Sequence, residues 1–384
     1  MSNSNVGAMP PKGMAYRCEH SSPRCSATAH RAVGAERAYI GRPPKEPAAG
    51  MRGISIVVTL LLAGILLWSI LSIRAIPSSQ TLQYEAERWQ GPSDQTYSQV
   101  SVFWNEGEMD AGQAKTLAEE LQASTPTEEI PPFVTAYGAK STGLAVYAHR
   151  RAEAELWSVS RDFFTLHAFS MAEGGPGTFA DTGREAVLNE AAAFALFGSS
   201  DCIGEDIQLG GLGWRVIAVI KEPDGAANEA AFGTAPRIFL PIANDDPVTF
   251  YEAILPEYYA GYASQSLQNA TGRTVTTSTG RFHLSRLWEK VKDFFRTPPE
   301  QTPPLPPWEQ SARLAERKLC AWWCVLAFSA TLLLYQLTKI LLAFGVVRNF
   351  FPYGGNSGRY SMVLDKLENR CNTQKNAQIG IKKQ

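Results

Sequence analysis

Two long apolar runs without a charged side chain frame the middle of the chain. Residues 53–73 read GISIVVTLLLAGILLWSILSI, and residues 319–338 form a second run, which ILLAFGVV prolongs beyond Lys339. At about 1.5 Å per residue, a helix over either run would cross a hydrocarbon core of about 30 Å. We predict transmembrane helices over residues 53–73 and 319–346.

A cleaved signal peptide is the alternative interpretation of the first run. The apolar core of a signal peptide normally holds only about 7–15 residues, fewer than this run, and IRA before Ile76 is a poor small-residue cleavage site. We therefore favour a retained membrane anchor. A short basic start at Met51 precedes the run, so translation is expected to begin there. Residues 1–50 are rich in Gly, Pro, Ser and Ala and are expected to be disordered or a misassigned extension.

The segment between the two runs has the periodicity of a folded domain. Strand-like alternation and helical spacing occur twice in the order strand, helix, strand. The first unit covers residues 97–104, 109–124 and 132–140, and the second covers 248–256, 257–272 and 273–284. Both units can share one sheet, so we predict an α+β domain over residues 76–296, with a second lobe inserted at about 141–247.

Residues 187–220 predict a strand, a short helix and a hairpin. Asn189 is a favourable N-cap, Phe194 and Phe197 share one face of the helix, and Gly198 suits its end. The hairpin turn GGLG contains three glycines that are free to adopt positive φ, namely Gly210, Gly211 and Gly213. This well-specified module contains almost no reactive side chain.

Two segments lead from the domain to the second apolar run. Residues 284–296 have the spacing of an amphipathic helix. Residues 297–316 include TPPEQTPPLPPWEQ, which favours a stiff, polyproline-like spacer. Movements of the domain are expected to reach the second span through this helix and spacer. A basic tail follows over residues 347–384.

The distribution of charge orients the two spans. Of 36 basic and 37 acidic residues, residues 1–52 hold eight and three, and residues 347–384 hold seven and two. The segment between them therefore has 21 basic and 32 acidic residues, a net charge of −11. Basic flanks are retained in the cytoplasm, so we expect a multi-pass plasma-membrane protein with both termini cytoplasmic and an extracytoplasmic central domain. The acidity of that domain argues against a nucleic-acid partner.

No catalytic, cofactor-binding or metal-binding motif is recognisable, so we predict no such site and no enzymatic activity. GAKST at 138–142 lacks the glycine spacing of a phosphate-binding loop and is expected to be a strand end and turn. GGPG at 174–177 is expected to be a turn. His149, His167 and His283 are scattered, without carboxylates at ligand spacing.

The cysteines do not form a disulfide framework. Cys202 is the only cysteine of the outer domain, and a single thiol cannot form an internal bridge. Cys18 and Cys25 lie near His30, but the spacing in CEHSSPRC matches no standard structural zinc site.

Two stretches rich in aromatic residues each have two interpretations. Residues 155–175 concentrate large apolar side chains, and core packing is a stronger interpretation than a functional surface. These side chains are Trp157, Phe163, Phe164, Leu166 and Phe169. YYAGY at 258–262 would either present tyrosines to a partner or cover the sheet.

Four blocks together resemble the periplasmic core domain of MacB-like and FtsX-like ABC-transporter permeases. They are LWSVSRDFFTLHAFSMAEGG, EAVLNEAAAFALFG, IGEDIQLGGLGWRVIAV and RIFLPIA, in the family's order and spacing. The first apolar run, placed directly before the domain, matches as well. The resemblance extends from about residue 51 to 338.

The resemblance implies a porter-like lobe of two strand-helix-strand units with a second lobe inserted. It also implies a non-catalytic membrane subunit of an ABC-type permease, whose extracytoplasmic domain couples ATPase-driven movement across the membrane. The implied partners are a separate ATP-binding ABC subunit, further permease subunits and the lipid bilayer, and no cofactor is implied.

The sequence departs from the four-span pattern of these permeases, because the polar and basic residues 347–384 cannot cross a bilayer. We expect a divergent two-span member, a truncated product or a subunit that needs companions. The alternative function is a membrane-anchored extracytoplasmic binding or scaffold protein derived from such a permease. A cell-wall hydrolase is disfavoured, since no acid/base pair occurs at recognisable spacing.

Overall fold

Two long helices carry the apolar runs of the sequence. The computed structural model describes residues 49–92, 94–124, 133–177, 183–294 and 305–343. Helix α1 spans Ala49–Ser78, and the last helix, α9, spans Pro307–Ala343. Among the described residues, these two helices are long and apolar enough to cross a membrane, over Gly53–Ser78 and Pro307–Leu342.

Strands and short helices alternate between α1 and α9. The strands are β1 (Tyr97–Phe103), β2 (Val134–Tyr147), β3 (Arg150–Val159), β4 (Ser170–Gly174), β5 (Glu185–Asn189), β6 (Asp206–Leu209), β7 (Leu212–Lys221), β8 (Arg237–Pro241), β9 (Phe250–Pro256) and β10 (Thr276–Thr277). The helices are α2 (Glu85–Gln90), α3 (Ala111–Ala123), α4 (Phe163–Leu166), α5 (Glu190–Leu196), α6 (Ala226–Phe232), α7 (Tyr262–Thr271) and α8 (Leu284–Phe294). A 3-10 turn covers Thr81–Gln83.

The strands of the described chain join into one mixed sheet. Its order is β10-β1-β9-β2-β3-β8-β5-β7-β4, and β6 pairs with both β2 and β7. The β3–β8 and β5–β7 pairs are parallel. Strand β9 lies between β1 and β2, with Ala253 opposite Val100 and Glu252 opposite Ala136. The two strand-helix-strand units therefore meet in one sheet, as expected, while the division into a porter-like lobe and an inserted lobe stays a prediction.

Helix α3 forms where the sequence predicts it. The Asp110 side chain accepts a hydrogen bond from the Gln113 backbone N–H at 2.8 Å, and the Gln113 side chain accepts one from the Asp110 N–H at 3.1 Å. This capping box satisfies two backbone donors at the helix start. Leu117 and Leu121 then lie on the buried face, in one apolar cluster with Leu267 of α7.

The second unit is shorter than the sequence predicts. Helix α7 begins at Tyr262, not at residue 257, because Gly261 adopts a left-handed conformation and Glu257 accepts hydrogen bonds from the backbone there. The strand predicted over 273–284 is wrong beyond Thr276–Thr277. Gly280, with φ of 67°, turns the chain away from the sheet.

Strand β2 continues through GAKST, so the strand end and turn predicted at 138–142 are wrong. Gly138 pairs with Val159 of β3 on one side and with Phe250 of β9 on the other. This central position explains why the strand does not stop there. At GGPG, by contrast, Gly174 ends β4, and Gly174 and Gly177 have positive φ, but residues 175–177 form no regular turn, so the predicted turn is not confirmed.

The module at 187–220 forms largely as predicted. The Asn189 side chain accepts a hydrogen bond from the Ala192 N–H at 2.9 Å and caps α5. The turn between β6 and β7 places Gly210 and Gly211 at φ of 55° and 80°. Gly213 lies inside β7 opposite Gln208, so the expectation of positive φ at this glycine is wrong.

The aromatic-rich stretch at 155–175 forms core, as the stronger interpretation predicts. All five of its singled-out side chains are buried in one cluster that also contains Phe239 and Phe250. In YYAGY, Tyr258 and Tyr259 both contact the Tyr262 ring edge-on, and Tyr259 is exposed. That contact leaves both interpretations of YYAGY open.

Residues 307–316, which the sequence assigns to the proline-rich spacer, form the first turns of α9 instead. Proline suits the first position of a helix because its fixed φ is helical and its missing N–H would be unpaired there. The predicted connection through a spacer is therefore replaced, from Pro307 onward, by continuous helix. Residues 1–48, with CEHSSPRC, and residues 295–304 and 344–384 lie outside the described residues.

Candidate functional site

The C-terminal end of α1 and the N-terminal end of α9 meet the domain at one place. Helix α1 leads directly into the 3-10 turn Thr81–Gln83, and α9 packs against this turn and against α6. Buried polar and aromatic side chains join the two helices to the domain here, and we call this cluster the junction. It consists of Gln80, Gln83, His167, Asn228, Glu252, Arg281, Trp308, Glu309, Ser311 and Glu316.

Trp308 inserts the start of α9 into the aromatic core of the domain. Its ring lies 5.4 Å from Trp157, 5.5 Å from Phe163 and 5.3 Å from Phe250, centroid to centroid. The indole Nε1 donates a hydrogen bond to the Glu252 carboxylate at 2.7 Å. A large, buried aromatic side chain with a satisfied N–H is typically worth about 3–5 kcal/mol of stability relative to alanine.

A buried histidine lies beneath this tryptophan. The His167 ring is 4.9 Å from the Trp308 ring, and its Nε2 lies 2.9 Å from the second oxygen of Glu252. Among the described residues, neither of these two atoms has a hydrogen-bond partner, so the contact between them is close but not aligned for a hydrogen bond. Glu252 thus contacts α9 through one oxygen and His167 through the other.

Arg281 ties α9 to the end of the domain. Its guanidinium donates to Glu309 Oε2 at 2.7 Å and to Glu316 Oε1 at 2.8 Å. It also donates to Gln83 Oε1 in the 3-10 turn at 2.7 Å. Lys290 of α8 adds a further ion pair to Glu316. One arginine therefore fixes two turns of α9 and the segment that follows α1.

The charges of this cluster are deeply buried. The Arg281, Glu309 and Glu316 side chains are 2%, 2% and 8% exposed. Burial opposes the charge of Arg281, but the Glu309 and Glu316 carboxylates beside it outweigh that effect and raise the pKa of its guanidinium. Such a group stays charged, and each buried charge depends on the others for compensation.

A neutral network completes the junction on the side of α1. Gln80 Nε2 donates to Asn228 Oδ1 of α6 at 3.1 Å, and Asn228 Nδ2 donates to the Ser79 carbonyl at 2.8 Å. Ser311 Oγ of α9 lies 3.0 Å from Gln80 Oε1 and also contacts Asn228 Oδ1. A hydroxyl has one proton, so it donates to one of these oxygens at a time. This network links the two residues that follow α1 directly to α6 and α9.

The junction lies a similar number of residues from both apolar runs. Arg74 follows the first run and is six residues from Gln80, while Lys318 precedes the second run and is seven residues from Ser311. Each run is therefore bounded by a basic residue at a comparable distance along the chain from the junction, as expected for two spans of one bilayer.

Only part of the junction was recognisable in the sequence. The sequence predicts the core residues Trp157 and Phe163 that Trp308 contacts, but it predicts a spacer at Trp308 and a strand at Arg281. A signal was present, because Glu309, Arg313 and Glu316 recur at helical spacing directly before the second run. Extending the predicted helix backwards from residue 319 would have placed these charges on one face.

The described residues do not bring the sequence-predicted candidates together into a chemical site. His167 is buried in the junction, while His149 and His283 are exposed. In the described ranges there is no group of three or more His, Cys, Asp or Glu side chains that could hold a metal ion. Burial raises the pKa of the Cys202 thiol to about 11, so it stays protonated and unreactive at neutral pH.

The family described as MacB-like periplasmic core domain matches residues 53–278, which is more than half of the 384 residues. The chain therefore belongs to the MacB-like periplasmic core domain family, which confirms the resemblance inferred from the four sequence blocks.

Similarity to solved structures is more distant. The periplasmic region of MacB from Actinobacillus actinomycetemcomitans is 14% identical with a TM-score of 0.38, over 52% of this chain and 94% of that one. The extracellular domain of the ABC-type transporter YknZ from Gram-positive bacteria is 14% identical with a TM-score of 0.32, over 47% of this chain and 99% of that one. Among curated proteins, no significant match is found.

Replacing Arg281 tests whether the buried charges hold the junction together. Arg281→Gln leaves Glu309 and Glu316 buried without their shared cation, so we expect a loss of about 3–5 kcal/mol in the free energy of unfolding. Denaturant unfolding of the full chain in detergent micelles measures this. Arg273→Gln is the matched control, because Arg273 pairs with Glu108 at the surface and should matter little. Equal, small losses in both variants would contradict the assignment.

Proposed function

We propose that the protein is a non-catalytic membrane subunit of an ABC-type permease that transmits ATPase-driven movement between the membrane and its extracytoplasmic domain. The observation that carries this proposal is the path of α9. This helix runs without interruption from the aromatic core of the domain, at Trp308, through the whole second apolar run.

A continuous helix suits this role because it transmits displacement. The sequence predicted that the link would pass through the proline-rich spacer, but α9 itself already joins core and apolar run. The first turns of α9 are fixed on three sides, by Trp308 in the core, by Arg281 and by the Ser311 network. Rotation or tilt of the helix in the membrane would therefore reach the sheet with little loss.

The proposed topology places both termini in the cytoplasm and the domain outside, in a plasma-membrane protein with two spans. The basic flanks and the similar distances along the chain from the junction to the two apolar runs support it. Within this topology we retain the proposed division into anchor, two-lobed domain over 76–296, second span and basic tail over 347–384. The helix that carries the second span, α9, however, begins at Pro307 and not at residue 319.

The proposed partners are a separate ATP-binding ABC subunit and further permease subunits. Permeases of this family work with ABC ATPases, which supports the first of these partners. A junction built for stiffness, with no reactive pair among the described side chains, fits a transmitting subunit better than a substrate-converting one.

The topology predicts a specific labelling pattern with a membrane-impermeant maleimide. In intact cells the native protein should stay unlabelled, because Cys202 is buried, Cys320 and Cys324 lie within the second apolar run, and Cys18, Cys25 and Cys371 would be cytoplasmic. Asp94→Cys, in an exposed turn of the domain, should be labelled without permeabilisation. Labelling of Cys371 in intact cells would refute the topology.

Softening α9 between the junction and the membrane should uncouple the protein. Arg317→Gly with Lys318→Gly keeps the helix length but lowers helix propensity by about 1 kcal/mol per residue relative to alanine. We expect this variant to lose the ability to complement a strain that lacks the protein. Arg317→Ala with Lys318→Ala removes the same charges, keeps the helix stiff and should complement.

Isolation of the full-length variants from native membranes provides the control for assembly. Both variants should recover the same ABC ATP-binding subunit. Full complementation by the glycine variant would contradict coupling through α9. Recovery of no ABC ATPase with the native chain would favour the membrane-anchored scaffold instead.

Replacing residues 298–304 with Gly and Ser should preserve function, since the coupling path begins at Pro307.

A further inference from the structure

Helix α8 carries an apolar stripe that the domain covers only in part. Leu284, Leu287 and Trp288 lie at helical spacing on one face. Leu287 is 1% exposed because it packs against α9, whereas Leu284 is 48% and Trp288 is 58% exposed. The polar side chains Arg286 and Glu289 lie on the remaining surface and are exposed.

The position of α8 along α9 distinguishes this stripe from ordinary exposed apolar residues. The Cys320 thiol of α9 lies 3.7 Å from the Leu287 carbonyl oxygen, and Lys290 of α8 pairs with Glu316. Leu319 is the first residue of the second apolar run. Helix α8 therefore crosses the level at which α9 passes from charged to apolar sequence.

This level is where a bilayer has its headgroup region. Tryptophan is enriched there because its ring is apolar and its N–H is polar, and amphipathic helices bury their apolar side there. Arg317 and Lys318, directly before the apolar run, are also typical of this region. An exposed Leu–Trp pair farther from the apolar run, on the side of the domain, would face only water.

We propose that α8 is an interfacial anchor that inserts Leu284 and Trp288 into the outer leaflet of the membrane that α1 and α9 span. The occupant of the open stripe is thus lipid, and the anchor sets the height and tilt of the domain. The inference rests on the proposed membrane insertion of α1 and α9, and it adds a third contact between this chain and the bilayer.

Quenching of tryptophan fluorescence by brominated lipid tests the anchor. The full-length protein is reconstituted in nanodiscs of phosphatidylcholine, either unlabelled or brominated in the upper acyl chain. The emission of Trp288 is obtained by subtracting the spectrum of Trp288→Phe from that of the native protein. We expect most of this difference emission to be lost in the brominated discs.

Two further variants make the result specific. Trp322→Phe reports a residue inside the second apolar run, and its difference emission should also be quenched. Trp214→Phe reports a residue on β7 that lies far from the end of α1. Lys221, at the other end of β7, lines a cleft with Ser78 and Ser79, and Trp214 is seven residues, or about 23 Å, along the strand from Lys221. The emission of Trp214 should be unaffected by bromination.

Each outcome is decisive. Quenching of Trp322 without quenching of Trp288 would overturn the anchor while leaving the two spans in place, and would favour a protein partner on the stripe. Absence of quenching at both Trp288 and Trp322 would overturn the membrane insertion on which the proposed function depends. Equal quenching at Trp288 and Trp214 would show non-specific adsorption of the domain and would also overturn the anchor.

Discussion

The ion cluster around Arg281 is the constraint on which the rest of the molecule depends. Two carboxylates of α9 are buried with one guanidinium, and each would be costly to bury alone. Replacing such clusters by apolar residues often leaves stability unchanged, so their main effect is to fix one arrangement. Glu309 and Glu316 lie seven residues apart on one face of α9, and Arg281 reaches both. A rotation of α9 about its axis would separate these charges. The cluster therefore fixes the register of α9, the proposed second span, against the domain.

Around this constraint, the other contacts act in the same direction. Trp308 fixes the depth of α9 in the core, and Ser311 with Gln80 fixes its distance from α1. Helix α8 lies beside α9 at the start of the second apolar run. The result is a domain held rigidly by two helices, and these contacts define its position relative to them. This geometry is what a transmitting subunit requires, because any compliance between membrane and domain would absorb the movement to be transmitted.

The sequence predicted much of the fold but little of the junction. Local sequence signals were sufficient where residues within an element stabilise it, as in the Asp110 capping box, the Asn189 N-cap and the turn at Gly210. They failed where pairing with distant strands determines the secondary structure. Gly138, for example, remains in a strand because it pairs with a neighbouring strand on each side. The start of α9 was missed because its prolines favour a spacer locally, while burial of Trp308 in a core more than fifty residues away in sequence stabilises helix there. The ion cluster was missed because its members come from distant segments.

The central claim is that the junction holds α9 rigidly to the domain, and a distance distribution tests it most directly. Spin labels are placed at Glu119→Cys on α3 and Thr338→Cys on α9, both exposed helical positions, in a chain whose native cysteines are replaced. Pulsed electron paramagnetic resonance in nanodiscs then measures the distance between them. We predict a single narrow distribution for the chain with an intact junction, and a broad one when Arg281→Gln is added. A distribution that is already broad with the junction intact, or that Arg281→Gln leaves unchanged, would contradict the claim.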